Sequence, residues 1–250
     1  MMNQSQAISI PAFGSWIQIG HPANVEILAR AGFSFLALDC EHGEAEDGDI
    51  SDFCRACRPY GVQPFVRVRE NTPMAIRRAL DLGAAGVIVP LVNSPEEAAQ
   101  AVRYASYPPM GVRGFAWHRG NEWGAEFTDY AQSFRPMVIV MIESRQAVES
   151  CDEIIQVDGV DGCLIGPYDL SGSYGVVGQT SHPLVLAGCK AVAESCRKHG
   201  KLAGQHIVIP TPDNIHCALH QGYNFLALGM DTYFLQDSAE KTLAMIPRNS

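Results

Sequence analysis

The side chains in this sequence with the chemistry of an active site fall at or just past the ends of apolar runs. The run at 33–39 leads into LDCEH, which supplies Asp39, Glu41 and His42, and the run at 63–68 reads QPFVRV and carries Arg67. The run at 137–143, MVIVMIE, ends in Glu143, and the run at 162–167, GCLIGP, is followed by Asp169. Glu143 and Asp169 are hard oxygen donors of the kind that hold Mg²⁺ or Mn²⁺ through one or two carboxylates, leaving the other positions to substrate and water. An ion held in this way chelates a 2-oxo acid through its carboxylate and keto oxygens. Arg67 offers a planar fork of donors suited to that carboxylate, or to an enolate oxygen as charge develops on it. Histidine is the residue type that moves protons near neutral pH, and His42 stands in the same group. Any one of these is an ordinary charged residue at a strand end; jointly they read as metal-assisted chemistry through an enolate.

The lysines narrow the chemistry further. A Schiff-base mechanism needs a lysine nucleophile inside the fold. Of the four lysines, Lys190, Lys198 and Lys241 fall in helix-like stretches and Lys201 precedes an apolar run rather than ending one. No covalent imine is expected.

Positioning these residues on one rim requires a repeated element. Eight short apolar runs, at 13–19, 33–39, 63–68, 86–92, 137–143, 162–167, 202–208 and 225–231, are separated by helix-like stretches. The runs are almost continuously apolar, as in VIVPLV, MVIVMI and FLALGM. That is the pattern of parallel strands covered on both faces. Eight strand–helix units in 250 residues match a closed (β/α)₈ TIM barrel in number and size, with a single domain over 1–250 and the chemistry at the carboxyl ends of the strands. A doubly wound open sheet is the rival, but no run is followed by GxGxxG or GxxxxGK[ST]. Two connections are longer than the rest, 41–51 and the Gly- and aromatic-rich 107–134, and long connections in compact domains tend to be functional.

Charge removes other classes. With Lys+Arg 18 against Asp+Glu 27, the net charge of −9 lacks the basic footprint of a nucleic-acid reader or of a binder of anionic membranes. The first residues carry neither a basic nor an apolar leader segment, and no apolar run reaches membrane-spanning length, so a cytoplasmic protein is expected. The eight cysteines are scattered through apolar stretches and read as reduced, buried thiols, the pair Cys54 and Cys57 included, since no second pair completes a metal site. His216 and His220 share a helix face without the glutamate of HExxH and read as solvated or at an interface. The acidic stretch 43–52 reads as a solvated, mobile segment, and His118 and Arg119 as facing either substrate or a subunit.

The stretches LDCEH (38–42), PFVRV (64–68), ALDLGAAGVIVPLV (79–92), YPPMGVRG (107–114), MIESRQA (141–147), VDGVDGCLIGPYDLS (157–171) and ALGMD (227–231) resemble the HpcH/HpaI class II pyruvate aldolases over nearly the whole chain. The resemblance implies a phosphoenolpyruvate/pyruvate-type barrel that cleaves a 4-hydroxy-2-oxo acid reversibly to pyruvate and an aldehyde, with pyruvate enolate as the intermediate. It assigns His42 as acid/base, Arg67 to the enolate, Glu143 and Asp169 to a divalent metal (Mg²⁺ or Mn²⁺, with Co²⁺ as a further candidate), and the backbone at Gly166, Pro167 and Tyr168 to pyruvate. Asp39 would support the histidine and Asp81 would reach the site of a neighbouring subunit. A homo-oligomer is implied, a hexamer with swapped carboxyl-terminal helices. The chain departs from the family at Tyr168, where Ala often follows Gly-Pro, and at 115–123, which is richer in aromatics. The loop keeps open a second reading, condensation of oxaloacetate with an acyl-CoA in siderophore synthesis. A third is a non-catalytic binding barrel, against which the joint presence of Arg67, Glu143 and Asp169 argues.

Overall fold

The computed structural model describes residues 8–125 and 127–247, so most of the amino-terminal stretch read above for a leader lies outside the described residues. Eight parallel strands pair in chain order and close on themselves. They are β1 Ala12–Ile17, β2 Phe35–Asp39, β3 Gln63–Arg67, β4 Gly86–Val89, β5 Met137–Ile142, β6 Gly162–Ile165, β7 Leu202–Ile207 and β8 Phe225–Met230. Helices return the chain between them, and the (β/α)₈ expectation holds. Several of these helices start where the sequence stops them from starting earlier. Thr72, Ser94 and Thr211 each precede a proline and each accepts a backbone N–H of the first turn. The strands are shorter than the apolar runs by up to three residues at the carboxyl end, because there the chain leaves the ladder to build the rim; Leu91 already lies in the left-handed region at φ 54°.

Alternation along each strand sorts residues into two cores. Outward-facing Val, Ile, Leu and Cys pack against the helices. Inward-facing Trp16, Phe35, Phe65, Ile139, Leu164, Leu202 and Phe225 fill the barrel. At its floor Phe35 stacks on Phe225 at 4.1 Å, and Phe65 meets both edge-on at 5.8 and 5.5 Å. Gly14 makes room for this plug, since a Cβ there would come within 2.4 Å of the Phe35 ring. Following the inward rows upward, 35–37–39 ends at Asp39, 65–67 at Arg67, 139–141–143 at Glu143 and 162–164–166 at Gly166. Apolar floor and polar rim are thus the two ends of the same rows.

Two expectations about loops change. The acidic stretch 43–52 is more regular than a loop: from Asp47 it is helical (Asp47–Cys57), with Glu46 N–H donating to Asp49 Oδ2 at 2.8 Å. Its acids are those a helix amino terminus favours, and Arg69 and Arg78 pair with Glu46 and Asp47. The connection 107–134 joins the helix Pro95–Ala105 to the start of β5. It therefore lies at the floor end of its own barrel, away from the rim, with Arg119 donating to the Leu82 carbonyl at 3.0 Å. All eight cysteines are free thiols, buried except Cys217. Among the described residues no helix is long and apolar enough to cross a membrane.

The aromatic floor sets a first expectation. Phe225→Ala should cost about 3–5 kcal/mol in urea unfolding, and a loss below about 1 kcal/mol would show that the plug is not closely packed.

Candidate active site

Arg67 is held on three sides. Its Nε and Nη2 donate to Asp39 Oδ1 and Oδ2 at 2.9 and 2.6 Å, a bidentate fork that the β2/β3 register, which pairs Asp39 with Arg67, sets up directly. Nη1 lies 3.1 Å from Glu41 Oε2, and the guanidinium carbon sits 4.6 Å over the Trp16 ring. Burial raises the Asp39 carboxyl, but Arg67 and the N–H groups of His42 and Glu41 outweigh it and hold Asp39 below its ordinary value. Glu41 goes the other way: burial raises it, with Arg67 opposing, and its buried Oε2 accepts no hydrogen bond. Asp39 also accepts the backbone N–H of Glu41 and of His42, each at 3.1 Å. It thus fixes the turn that carries His42, while the imidazole stands 3.8 Å from Glu41 with its side chain 67% exposed. The support expected of Asp39 reaches the histidine through the main chain rather than through the ring.

The second half of the rim is anionic. Glu143 is 7% exposed and Asp169 is exposed, and both converge on Gly166. A Cβ built on Gly166 would stand 3.1 Å from Glu143 Oε1 and 3.3 Å from Asp169 Oδ2, so the missing side chain leaves a cradle between two carboxylates. Burial, with Asp169 adding to it, pushes the Glu143 carboxyl up to about 7 although the Leu91 N–H donates to Oε2 at 3.1 Å. Leu91 aims that N–H from its left-handed backbone, a conformation an L-residue rarely takes. Two hard carboxylates with room between them suit a divalent cation that keeps its remaining positions for water and substrate. Among the described residues no group of three or more His, Cys, Asp and Glu converges into a metal cluster. Pro167 opens the helix Pro167–Ser173, and Tyr168 projects from it at 63% exposure.

Asp81 is not at this rim. It ends the helix Pro73–Asp81 at the floor of the barrel, where Arg113 donates to Oδ1 at 2.8 Å and His118 Nε2 lies 3.5 Å away. Arg113 is fully buried among Tyr107, Tyr130 and Phe134, and Tyr107 Oη lies 3.1 Å from His118 Nε2. Burial lowers His118, with Asp81 opposing. His118 therefore faces neither substrate nor solvent in its own chain. His216 and His220 are exposed on the helix Pro212–His220.

Trp16 and His206 also stand at the rim, unmarked by sequence pattern: both lie inside runs that read simply as strand, and their one signal is their place at the end of an inward row. The Trp16 Nε1 is buried without a partner, and its ring meets His206 edge-on at 5.8 Å.

A closed parallel barrel whose rim joins a clamped arginine to a pair of carboxylates has the chemistry to seat a divalent cation beside a small anionic substrate. Comparison with known proteins narrows this. Residues 12–237 match the HpcH/HpaI aldolase/citrate lyase family. The chain is 37% identical over 238 residues to the 4-hydroxy-2-oxo-heptane-1,7-dioate aldolase of Escherichia coli, covering 94% of this chain and 90% of that protein. It is 36% identical over 230 residues to the 5-keto-4-deoxy-D-glucarate aldolase of Klebsiella pneumoniae, covering 91% and 89%. Among solved structures, an HpcH/HpaI aldolase/citrate lyase family protein from Burkholderia cenocepacia superposes with a TM-score of 0.89 at 30% identity, covering 94% and 93%. The chain belongs to the HpcH/HpaI aldolase/citrate lyase family and is a carbon–carbon lyase.

Glu143 generates a prediction with two readouts. Its proton is held more tightly in the fold than in the unfolded chain, so the metal-free fold loses stability as pH rises from about 5 to about 7, by up to about 3 kcal/mol. Glu143→Gln should remove that loss. It should then be more stable than the parent in urea at pH 8 while binding Mn²⁺ at least about tenfold more weakly. Gly166→Ala should likewise weaken Mn²⁺ by filling the cradle, and an unchanged affinity in both variants would remove the ion from this pair.

Proposed function

We propose that this protein reversibly cleaves a 4-hydroxy-2-oxo acid to pyruvate and an aldehyde. The observation that carries the reading is the pairing of Arg67, clamped by Asp39, with the carboxylate cradle of Glu143 and Asp169 at one end of one barrel. In the cleavage direction a base takes the proton of the C4 hydroxyl, the C3–C4 bond breaks, C4 leaves as the aldehyde carbon, and the electron pair passes to the pyruvate enolate. Protonation at C3 then gives the methyl group. Arg67 balances the developing enolate charge with the N–H groups that Asp39 leaves free, and Asp39 stays ionised to hold it there. The backbone at Gly166, Pro167 and Tyr168 borders pyruvate. A divalent cation on Glu143 and Asp169, Mg²⁺ or Mn²⁺ with Co²⁺ as a further candidate, supplies Lewis acidity toward the 2-oxo group when bound.

His42 is the proton carrier in this reading, on a turn fixed by Asp39. Asp81 lies at the opposite end of its own barrel, so any contribution from it reaches the rim of a neighbouring copy. That fits a homo-oligomer, a hexamer by resemblance. The carboxyl-terminal helix Asp231–Ala244 supports it as well, for only Asp231 is buried, and Leu235, Leu243, Met245 and Ile246 are exposed. An exchanged helix would cover them. The eight free thiols accord with work in the cytoplasm. The aromatic loop at 115–123, which keeps acyl-CoA condensation open as a second reading, lies at the floor end and lends it no support within one chain.

Two variants test the reading in turnover of a 4-hydroxy-2-oxo acid. Arg67→Lys should lose about 10²–10³-fold in kcat/KM, because a point charge cannot replace the fork. Asp169→Ala should abolish metal-dependent turnover in a folded oligomer. Near-parental rates in either variant would overturn the assignment.

A further inference from the structure

His206 has no part in the reaction as described, yet it ends an inward row. It follows Leu202 and Gly204 on β7, and its ring packs edge-on against Trp16, which also lies under the Arg67 guanidinium. Its Nε2 lies 3.1 Å from the Gly229 carbonyl oxygen. A carbonyl can only accept, so Nε2 carries the proton and Nδ1 the lone pair. The backbone builds this arrangement deliberately. Gly229 is in the left-handed region at φ 61°, its carbonyl accepts Ser15 Oγ at 3.2 Å as well, and a Cβ there would come within 2.5 Å of the Phe234 ring, so only glycine holds the carbonyl at this angle. Burial pushes the imidazole down to about 4 despite the Gly229 bond, with Arg67 adding to the effect. The ring is thus neutral across the physiological range, and among the described residues none donates to Nδ1.

The place of that lone pair matters. If the enolate lies between Arg67 on β3 and the carboxylates that follow β5 and β6, the aldehyde enters from the remaining arc of the mouth, formed by β7, β8 and β1. His206 is the polar side chain on the inward face of β7 at that opening. We propose that His206 Nδ1 accepts a hydrogen bond from a hydroxyl group on the acceptor half of the substrate, making the protein selective for hydroxyaldehydes. This rests on the enolate reading above. A neutral lone pair rewards a donor, gains nothing from a methyl group in the same place, and repels a carboxylate.

The test compares glycolaldehyde with propionaldehyde, which differ by hydroxyl against methyl, as acceptors for pyruvate. The parent should favour glycolaldehyde by about tenfold or more in kcat/KM. His206→Leu should bring that ratio close to one, whereas His206→Asn, whose Oδ1 stands in for Nδ1, should keep most of it. Deuterium exchange into the pyruvate methyl group needs no acceptor and should still proceed in both variants, which also reports that the site is folded. Exchange in all three proteins with no preference in the parent, or with the same ratio in His206→Leu, would overturn the role of His206 and leave the enolate reading standing. Loss of exchange in the variants alone would place His206 on the pyruvate half and overturn the proposal. No exchange in the parent would overturn the enolate reading and this inference with it.

Discussion

The rim depends on the fork between Arg67 and Asp39. Both side chains are nearly buried, at 13% and 2% exposure, and removing either partner from such a pair strands a charge, at a cost of about 3–5 kcal/mol. A pair of this kind is weak evidence for stability, because two apolar residues could pack as well. Its effect is positional: the fork sets the plane of the guanidinium against the Trp16 ring, and the same carboxylate fixes the turn that carries His42. One aspartate at the end of β2 thus orders an arginine on β3, an indole on β1 and the loop of the histidine.

The two halves of the rim are electrostatic opposites, and that difference assigns their tasks. Asp39 meets a cation already present and is held ionised. Glu143 meets burial and a second carboxylate, and its proton is retained up to about 7. A fold selected only for stability would place an apolar residue at 143. Keeping a strained Leu91 N–H aimed at a destabilised carboxylate makes sense where a cation completes the set. In the proposed reaction Arg67 and the cradle bracket the oxo acid from two sides.

Much of this was legible in the sequence because two periodicities coincide. Near-continuous apolar runs gave eight covered strands, and the polar residue ending a run fell on the rim, which located Asp39, Arg67, Glu143 and Asp169. Trp16 and His206 end their rows too, but an indole and a neutral imidazole inside an apolar run carry no charge to mark them. The length and glycine content of 107–134 mark the connection as unusual without saying which end of the barrel it closes. The residues of 43–52 read as solvated because they are acidic, and they are, but the acidic pattern did not show that they also cap a helix and pair with Arg69 and Arg78. Asp81 could be matched to a family position, but its partner Arg113 lies 32 residues away and joins it only through the fold.

In the proposed reaction this rim makes and protonates a pyruvate enolate. The most direct measurement is proton NMR of pyruvate incubated with the protein in D₂O, with and without Mg²⁺ or Mn²⁺, and with no aldehyde present. Metal-dependent loss of the methyl signal is the result predicted here. A methyl signal that persists in both conditions would contradict it.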